Sequence, residues 1–150
     1  MNRADAAEQI VADLRELAVL TSDEGGAQRL SWTPVWQQAT EWFRCHMEAA
    51  GAEVSMDAVG NIWAKFAGES EASVVVGSHI DSVPDGGWLD GALGVAAGMG
   101  YGAYCLDGKK PKKTLYVVGW VDEEGMAFGK SCFGSAVASG SMTAQSAASL

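Results

Sequence analysis

Basic residues are scarce in this sequence: 10 Lys and Arg stand against 19 Asp and Glu, for a net charge of −9. Nucleic acid is gripped through its phosphates by a cationic face, so this balance argues against a nucleic-acid partner. The one basic cluster, Lys109, Lys110, Lys112 and Lys113, is interrupted by Pro111 and reads as a solvated turn. Long apolar runs are also missing. No stretch approaches the roughly 18 residues of a membrane span. The segment Met1 to Glu16 mixes charged with apolar positions and lacks the unbroken apolar core of a signal peptide. Cysteine is limited to Cys45, Cys105 and Cys132, an odd number with no CxxC pair, so no disulfide framework is indicated. Three buried thiols in a reducing cytoplasm are the simplest expectation.

What is present suits a globular domain. The 150 residues are 48% hydrophobic and 19% charged, enough apolar material for one buried core. Ile10, Val11, Leu14, Leu17 and Ala18 recur at helical spacing and predict an amphipathic helix near residues 4–20. Thr33 followed by Pro34 reads as an N-cap and first-turn proline. Val35, Ala39, Trp42, Phe43 and Met47 form the stripe of a second helix, stopped by Gly51. The period then shortens. Glu53–Met56 and Asn61–Phe66 read as short strands joined by a turn at Ala58–Gly60. The β-branched run Val74-Val75-Val76 predicts a strand over Ser73–Gly77, buried on both faces. A glycine-rich loop, a helix over Ala92–Leu106 and a buried-type strand over Thr114–Val121 follow, and the tail from Lys130 has helical character. Helices alternating with buried strands indicate an α/β fold, a layered sheet with helices on its faces. Gly98, Gly100 and Gly102 lie inside the helix after the loop, each costing about 1 kcal/mol against alanine. Either a neighbouring backbone packs closely there or that helix is weak.

Two segments carry chemistry. Gly77-Ser78-His79-Ile80-Asp81 follows a strand, where α/β sheets place ligands. His79 and Asp81 are two apart and project to the same side of extended chain. An imidazole beside a carboxylate is a common metal-ligand arrangement. Asp85, Gly86 and Gly87 let the chain double back and bring Asp90 towards His79. The second strand ends in Asp122-Glu123-Glu124-Gly125. Like charges stacked at a strand end are unfavourable unless a cation or a proton offsets them. Adjacent glutamates on extended chain point in opposite directions, so one could ligate a metal while the other faces a substrate. Each segment alone is as consistent with a solvated corner; the pair, after two strands, raises the case for a metal site.

These residues resemble the dinuclear-metal amidohydrolases, the group that includes N-carbamoyl-L-amino acid hydrolase, allantoate amidohydrolase and bacterial β-ureidopropionase. That group is related to the metal-dependent carboxypeptidases and aminoacylases. The stretch from Gly77 to Pro84, with Gly86-Gly87, Asp90-Gly91 and Gly94-Val95, is similar to the first metal motif of the family. Glu123-Glu124-Gly125, Phe128-Gly129, Ser131 and Gly134-Ser135 are similar to the second, and Gly25-Gly26, Arg29-Leu30, Gly51 and Gly60-Asn61 also fit. The resemblance implies that His79 ligates one metal, Asp90 bridges two, Glu124 ligates the second, Glu123 is the general base and Asp81 orients His79. It implies two divalent ions (zinc, manganese, cobalt or nickel), a small ureido or amide substrate, a homodimer for full-length relatives, and two further histidine ligands from beyond this length. The chain would then be part of a catalytic domain, without the family's smaller dimerisation domain and its substrate-binding residues. His46 matches no family ligand and reads as a surface or packing histidine. Ala127 stands where many relatives carry arginine, and Trp88-Leu89 where many carry a basic residue and an aromatic.

The implied reaction is metal-assisted hydrolysis of a linear ureido or amide C–N bond. A peptidase or aminoacylase on the same scaffold, and a non-catalytic metal-binding fragment, are the rival readings. Nucleotide binding by the glycine-rich loop is disfavoured, because GxGxxG is absent and Asp85 and Asp90 would repel phosphate.

Overall fold

A computed structural model describes residues 3–150. Helices α1 (Arg3–Thr21) and α2 (Pro34–Ala49) lead into a hairpin of β1 (Glu53–Met56) and β2 (Ile62–Phe66). Then come β3 (Ser70–His79), α3 (Ala92–Gly100), β4 (Lys113–Trp120) and two short helices, α4 (Phe133–Ala138) and α5 (Ala144–Ala147). The sheet runs β1-β2-β4-β3, with β1–β2 and β2–β4 antiparallel and β3–β4 parallel. This is the layered α/β arrangement expected. No helix among the described residues is long and apolar enough to cross a membrane.

Local signals explain most element boundaries. The Thr33 hydroxyl accepts from the Trp36 backbone N–H, so α2 is capped at its predicted start. Gly51 follows its end with φ +85°, a conformation that favours glycine. Leu14 and Leu17 of α1 and Trp36, Ala39, Trp42, Phe43 and Met47 of α2 enter one core with Ile62, Ala64, Leu115 and Val117 of the sheet. Val11, expected in the α1 stripe, is instead exposed.

Other expectations also fail. Val74 and Val75 are 45% and 50% exposed, so β3 is not buried on both faces. A β-branched run specifies an extended backbone, but burial depends on what lies alongside, and β3 is an edge strand with only β4 as neighbour. The interior strand is β4, where Leu115, Val117 and Val118 are all buried. The thiols of Cys45 and Cys132 are exposed rather than buried. Cys45 lies on the outer face of α2 beside Glu41, and Cys132 precedes α4. The Cys105 side chain lies outside the described residues.

The glycines of α3 and of the turn that follows it are met closely by side chains rather than by a neighbouring backbone: Gly100 by Ile10 and Gly102 by Phe66. A Cβ on Gly94 would lie 2.6 Å from Ser78 Cβ, and one on Gly98 would lie 3.0 Å from Val117 Cγ1 and 3.2 Å from Val76 Cγ2. The helix therefore rides directly on β3 and β4, and close packing offsets the low intrinsic propensity. Past Gly100 the helix widens into a π-helical turn, Tyr101–Cys105, so the single helix expected to Leu106 is interrupted.

Candidate metal centre

Because β3 and β4 are parallel, with His79 opposite Trp120, both strands end at the same edge of the sheet. The segments that follow them meet there, in the crevice where open α/β sheets hold ligands. His79 is the last residue of β3 and is buried. Its Nδ1 lies 3.1 Å from the Asp81 carbonyl oxygen. A carbonyl only accepts, so Nδ1 carries the proton and, in the neutral ring, Nε2 presents a lone pair. That Nε2 faces Glu123 Oε2 at 3.5 Å and Asp90 Oδ1 at 3.6 Å. His79, Asp90 and Glu124 each offer a donor atom within 4.8 Å of the other two.

The turn after β4 differs from the sequence reading. It is a bend, not extended chain, and Asp122 takes a left-handed conformation with φ 51°. Both Glu123 and Glu124 therefore turn towards His79 instead of pointing apart. Asp122, which sequence reasoning passed over, is fully buried. Its N–H donates to the Ser31 hydroxyl and its Oδ1 accepts from the Ala127 N–H, which fixes the bend. Asp tolerates the left-handed region because its short side chain bonds locally. Asn61 holds the other side: its Oδ1 accepts from Val121 N–H and its Nδ2 donates to the Gly134 carbonyl and to Asp57.

The first loop is clamped as firmly. Ala27 and Gly86 exchange backbone hydrogen bonds at 2.9 and 3.1 Å, and a Cβ on Gly26 would strike the Asp85–Gly86 backbone. Arg29, fully buried, donates from Nε to the Ile80 carbonyl at 2.8 Å, between His79 and Asp81. Burial pulls the guanidinium pKa down, and the charges of Asp81 and Asp90 pull it back up. Gly91, φ +63°, lies against the His79 ring and carbonyl, where any Cβ would overlap them. The Gly-Gly and Arg-Leu signature near the N-terminus thus positions the His79 segment from behind.

Asp81 links the two loops. Its Oδ2 accepts from the Glu124 N–H at 3.2 Å, while Oδ1 stands 3.7 Å from His79 Nδ1 and has no hydrogen-bond partner. Burial pushes its carboxyl pKa up, opposed first by the Glu124 N–H and then by His79. The direct hold on Nδ1 comes from the Asp81 carbonyl, with the carboxylate behind it. On Glu123, Oε1 accepts from the Cys132 thiol at 3.3 Å, which leaves Oε2 towards His79. Cys132 carried no signal for this contact in the sequence.

The donor set fits a divalent cation. An imidazole lone pair facing carboxylate oxygens sets acceptor against acceptor, and a cation between them relieves it. Oxygen and imidazole donors suit zinc and its first-row neighbours. All five residues singled out in the sequence, His79, Asp81, Asp90, Glu123 and Glu124, converge here.

Known proteins resemble this chain in sequence and fold. Residues 61–148 match the model of peptidase family M28. The chain belongs to that family. The family is metal-dependent, which agrees with the donor set. The allantoate amidohydrolase of Bacillus subtilis (strain 168) is 37% identical over 136 residues, covering 84% of this chain and 31% of the relative. The N-carbamoyl-L-amino-acid amidohydrolase of Paenarthrobacter aurescens is 34% identical over 131 residues, covering 85% of this chain and 32% of the relative. A crystal structure of a hydantoinase/carbamoylase family amidase from Burkholderia ambifaria superposes with a TM-score of 0.88 at 34% identity, covering 92% of this chain and 35% of that one. The chain thus spans about a third of the length of the relatives it matches. The family match covers β2, β3, α3 and β4 together with the segments that carry His79, Asp81, Asp90, Glu123 and Glu124. The departures at Trp88, Leu89 and Ala127 are all exposed on the segments that carry the donors.

Proposed function

We propose that residues 1–150 form part of the catalytic domain of a metal-dependent hydrolase of linear ureido or amide C–N bonds, of the N-carbamoyl amino acid or allantoate type. The observation that carries this reading is His79 Nε2 facing Asp90 and Glu123 at the shared end of two parallel strands, with Glu124 in the same cluster. The relatives' names supply the bond class. His79, Asp90 and Glu124 would hold the metal in this reading. Three protein donors are few for two ions, so further ligands come from outside this segment. When bound, divalent ions supply Lewis acidity to a carbonyl and lower the pKa of water.

The chain's own residues have distinct tasks. Arg29 and the Asp81 carbonyl fix the His79 ring with Nε2 towards the cluster. The Cys132 thiol occupies Oε1 of Glu123, so Oε2 is the atom that accepts a proton and returns it to the leaving nitrogen. Glu123 is partly exposed and can meet both substrate and solvent. Trp88, Leu89 and Ala127 flank the crevice and would bear on substrate choice. Cleavage of a carbamoyl amino acid would yield the amino acid, ammonia and carbon dioxide. A cytoplasmic homodimer belongs to the same reading; the lack of a disulfide framework in the sequence supports the compartment.

The test is ammonia release from N-carbamoyl amino acids and allantoate by the protein that carries this segment, supplied with zinc, manganese or cobalt. We expect turnover that Glu123→Ala abolishes. Cleavage of dipeptides or N-acyl amino acids without ammonia release from ureido compounds would replace this reading by the peptidase or aminoacylase alternative.

A further inference from the structure

The second histidine of the chain repeats the arrangement of the first, on different elements. His46 lies in the last turn of α2, half-buried and stacked on Trp42 with ring centroids 4.9 Å apart. Its Nδ1 lies 2.9 Å from the Trp42 carbonyl oxygen, which only accepts, so Nδ1 carries the proton. Nε2 then presents its lone pair to Glu16 Oε2 of α1, 3.4 Å away. Two donors each about 2.0–2.2 Å from a tetrahedral ion stand at about this separation. Asp13, one turn before Glu16, completes a group whose donor atoms all lie within 4.8 Å of one another.

Asp13 is the unusual member. It is only 3% exposed, and carboxylates are seldom buried so fully without a cation. Gln9 Nε2 donates to its Oδ1 at 2.9 Å and the Tyr104 hydroxyl donates to its Oδ2 at 2.7 Å. Both donors are neutral, so they orient the carboxylate without cancelling its charge. Tyr104 reaches Asp13 from the π-helical turn after α3, a distortion that recurs at functional sites. Burial, the Asp13 bond and the Asp13 and Glu16 charges push the Tyr104 phenol up, so it stays a donor. A neutral imidazole and two carboxylates balance the charge of one divalent ion, and hydrogen bonds from outside the donor set hold its ligands in place.

We propose that Asp13, Glu16 and His46 form a second site for a zinc-type divalent cation, which ties α1 to α2 away from the sheet-edge centre. His46 is bound through Nε2, and Tyr104 is a positioning residue that acts through Asp13. The rival is a proton on His46 Nε2, giving an ordinary ion pair with Glu16.

Zinc titration of the protein that carries this segment, followed by the ring nitrogen resonances of His46 and His79 and by calorimetry, decides between them. In the wild type and in His79→Gln, zinc should move the His46 Nε2 resonance while Nδ1 stays protonated. Glu16→Gln, on an exposed side chain that leaves the core untouched, should weaken this binding at least tenfold. Tyr104→Phe should weaken it about 10- to 100-fold, as loss of a ligand's supporting hydrogen bond does elsewhere. His46 signals that stay fixed while zinc saturates His79, or that respond equally in Glu16→Gln, overturn the proposal and leave the protonated pair.

Discussion

Asn61→Ala should destabilise this protein, although it deletes only a small polar group. Asn61 is fully buried and makes three hydrogen bonds that join the hairpin turn to the segment after β4. The Asp57 carboxylate is the least affected partner, since it is half-buried and keeps the Trp63 indole and three backbone N–H donors. The Val121 N–H and the Gly134 carbonyl are different. Both are buried, and a Cβ on Gly134 would overlap Asn61 Oδ1, so the contact is tight. A buried donor left unpaired costs about 1–3 kcal/mol, and that cost falls on the Val121 N–H, since the Gly134 carbonyl keeps its partner within α4. A domain of this kind has about 5–15 kcal/mol in all. Urea denaturation should show a lower midpoint with an unchanged slope. Asn61→Asp should fare no better, because its carboxylate would face Asp57 and the Gly134 carbonyl. A loss under about 1 kcal/mol in Asn61→Ala would mean that water replaces the amide, and the claim that Asn61 fixes the site's second loop would be wrong.

Gly91→Ala should weaken zinc binding at the sheet-edge centre at least tenfold and also lower stability, because its Cβ would overlap the His79 ring and carbonyl at a positive φ; calorimetric titration beside a thermal melt checks both. The Cys132 thiol pKa is pushed up, first by its hydrogen bond to Glu123. Its thiolate therefore appears only at higher pH than in an ordinary thiol, and disulfide exchange near pH 8 should be slow despite exposure. Glu123→Gln removes the charge and should shift the rate profile to lower pH, measured in a background with Cys45 and Cys105 replaced by serine.

The failures of sequence reading have local causes. A run of valines says that β3 is extended, and it cannot say that the strand lies at a sheet edge. Apolar cysteines in a row of letters look buried, yet Cys45 falls on the outer face of a helix whose inner face is filled by aromatics. An acidic triplet that follows a strand reads as extended chain. The left-handed turn at Asp122 depends on a hydrogen bond from its N–H to the Ser31 hydroxyl and one from the Ala127 N–H to its carboxylate, which no local pattern announces.

The sequence by itself determined the helix stripes and caps, the strand segments, and the two motifs that hold His79, Asp81, Asp90, Glu123 and Glu124. Those features rest on side-chain periodicity and on backbone conformations that only certain residues adopt. The tertiary structure decided the rest. Parallel pairing of β3 with β4 brings the two motifs to one edge. Arg29 and Gly91 set the His79 ring, and the bend at Asp122 turns both glutamates towards it. Packing of α1 on α2 brings His46 to Asp13 and Glu16, 30 and more residues away in the chain. Contacts between residues so far apart depend on how whole elements pack, and no window of sequence contains that information.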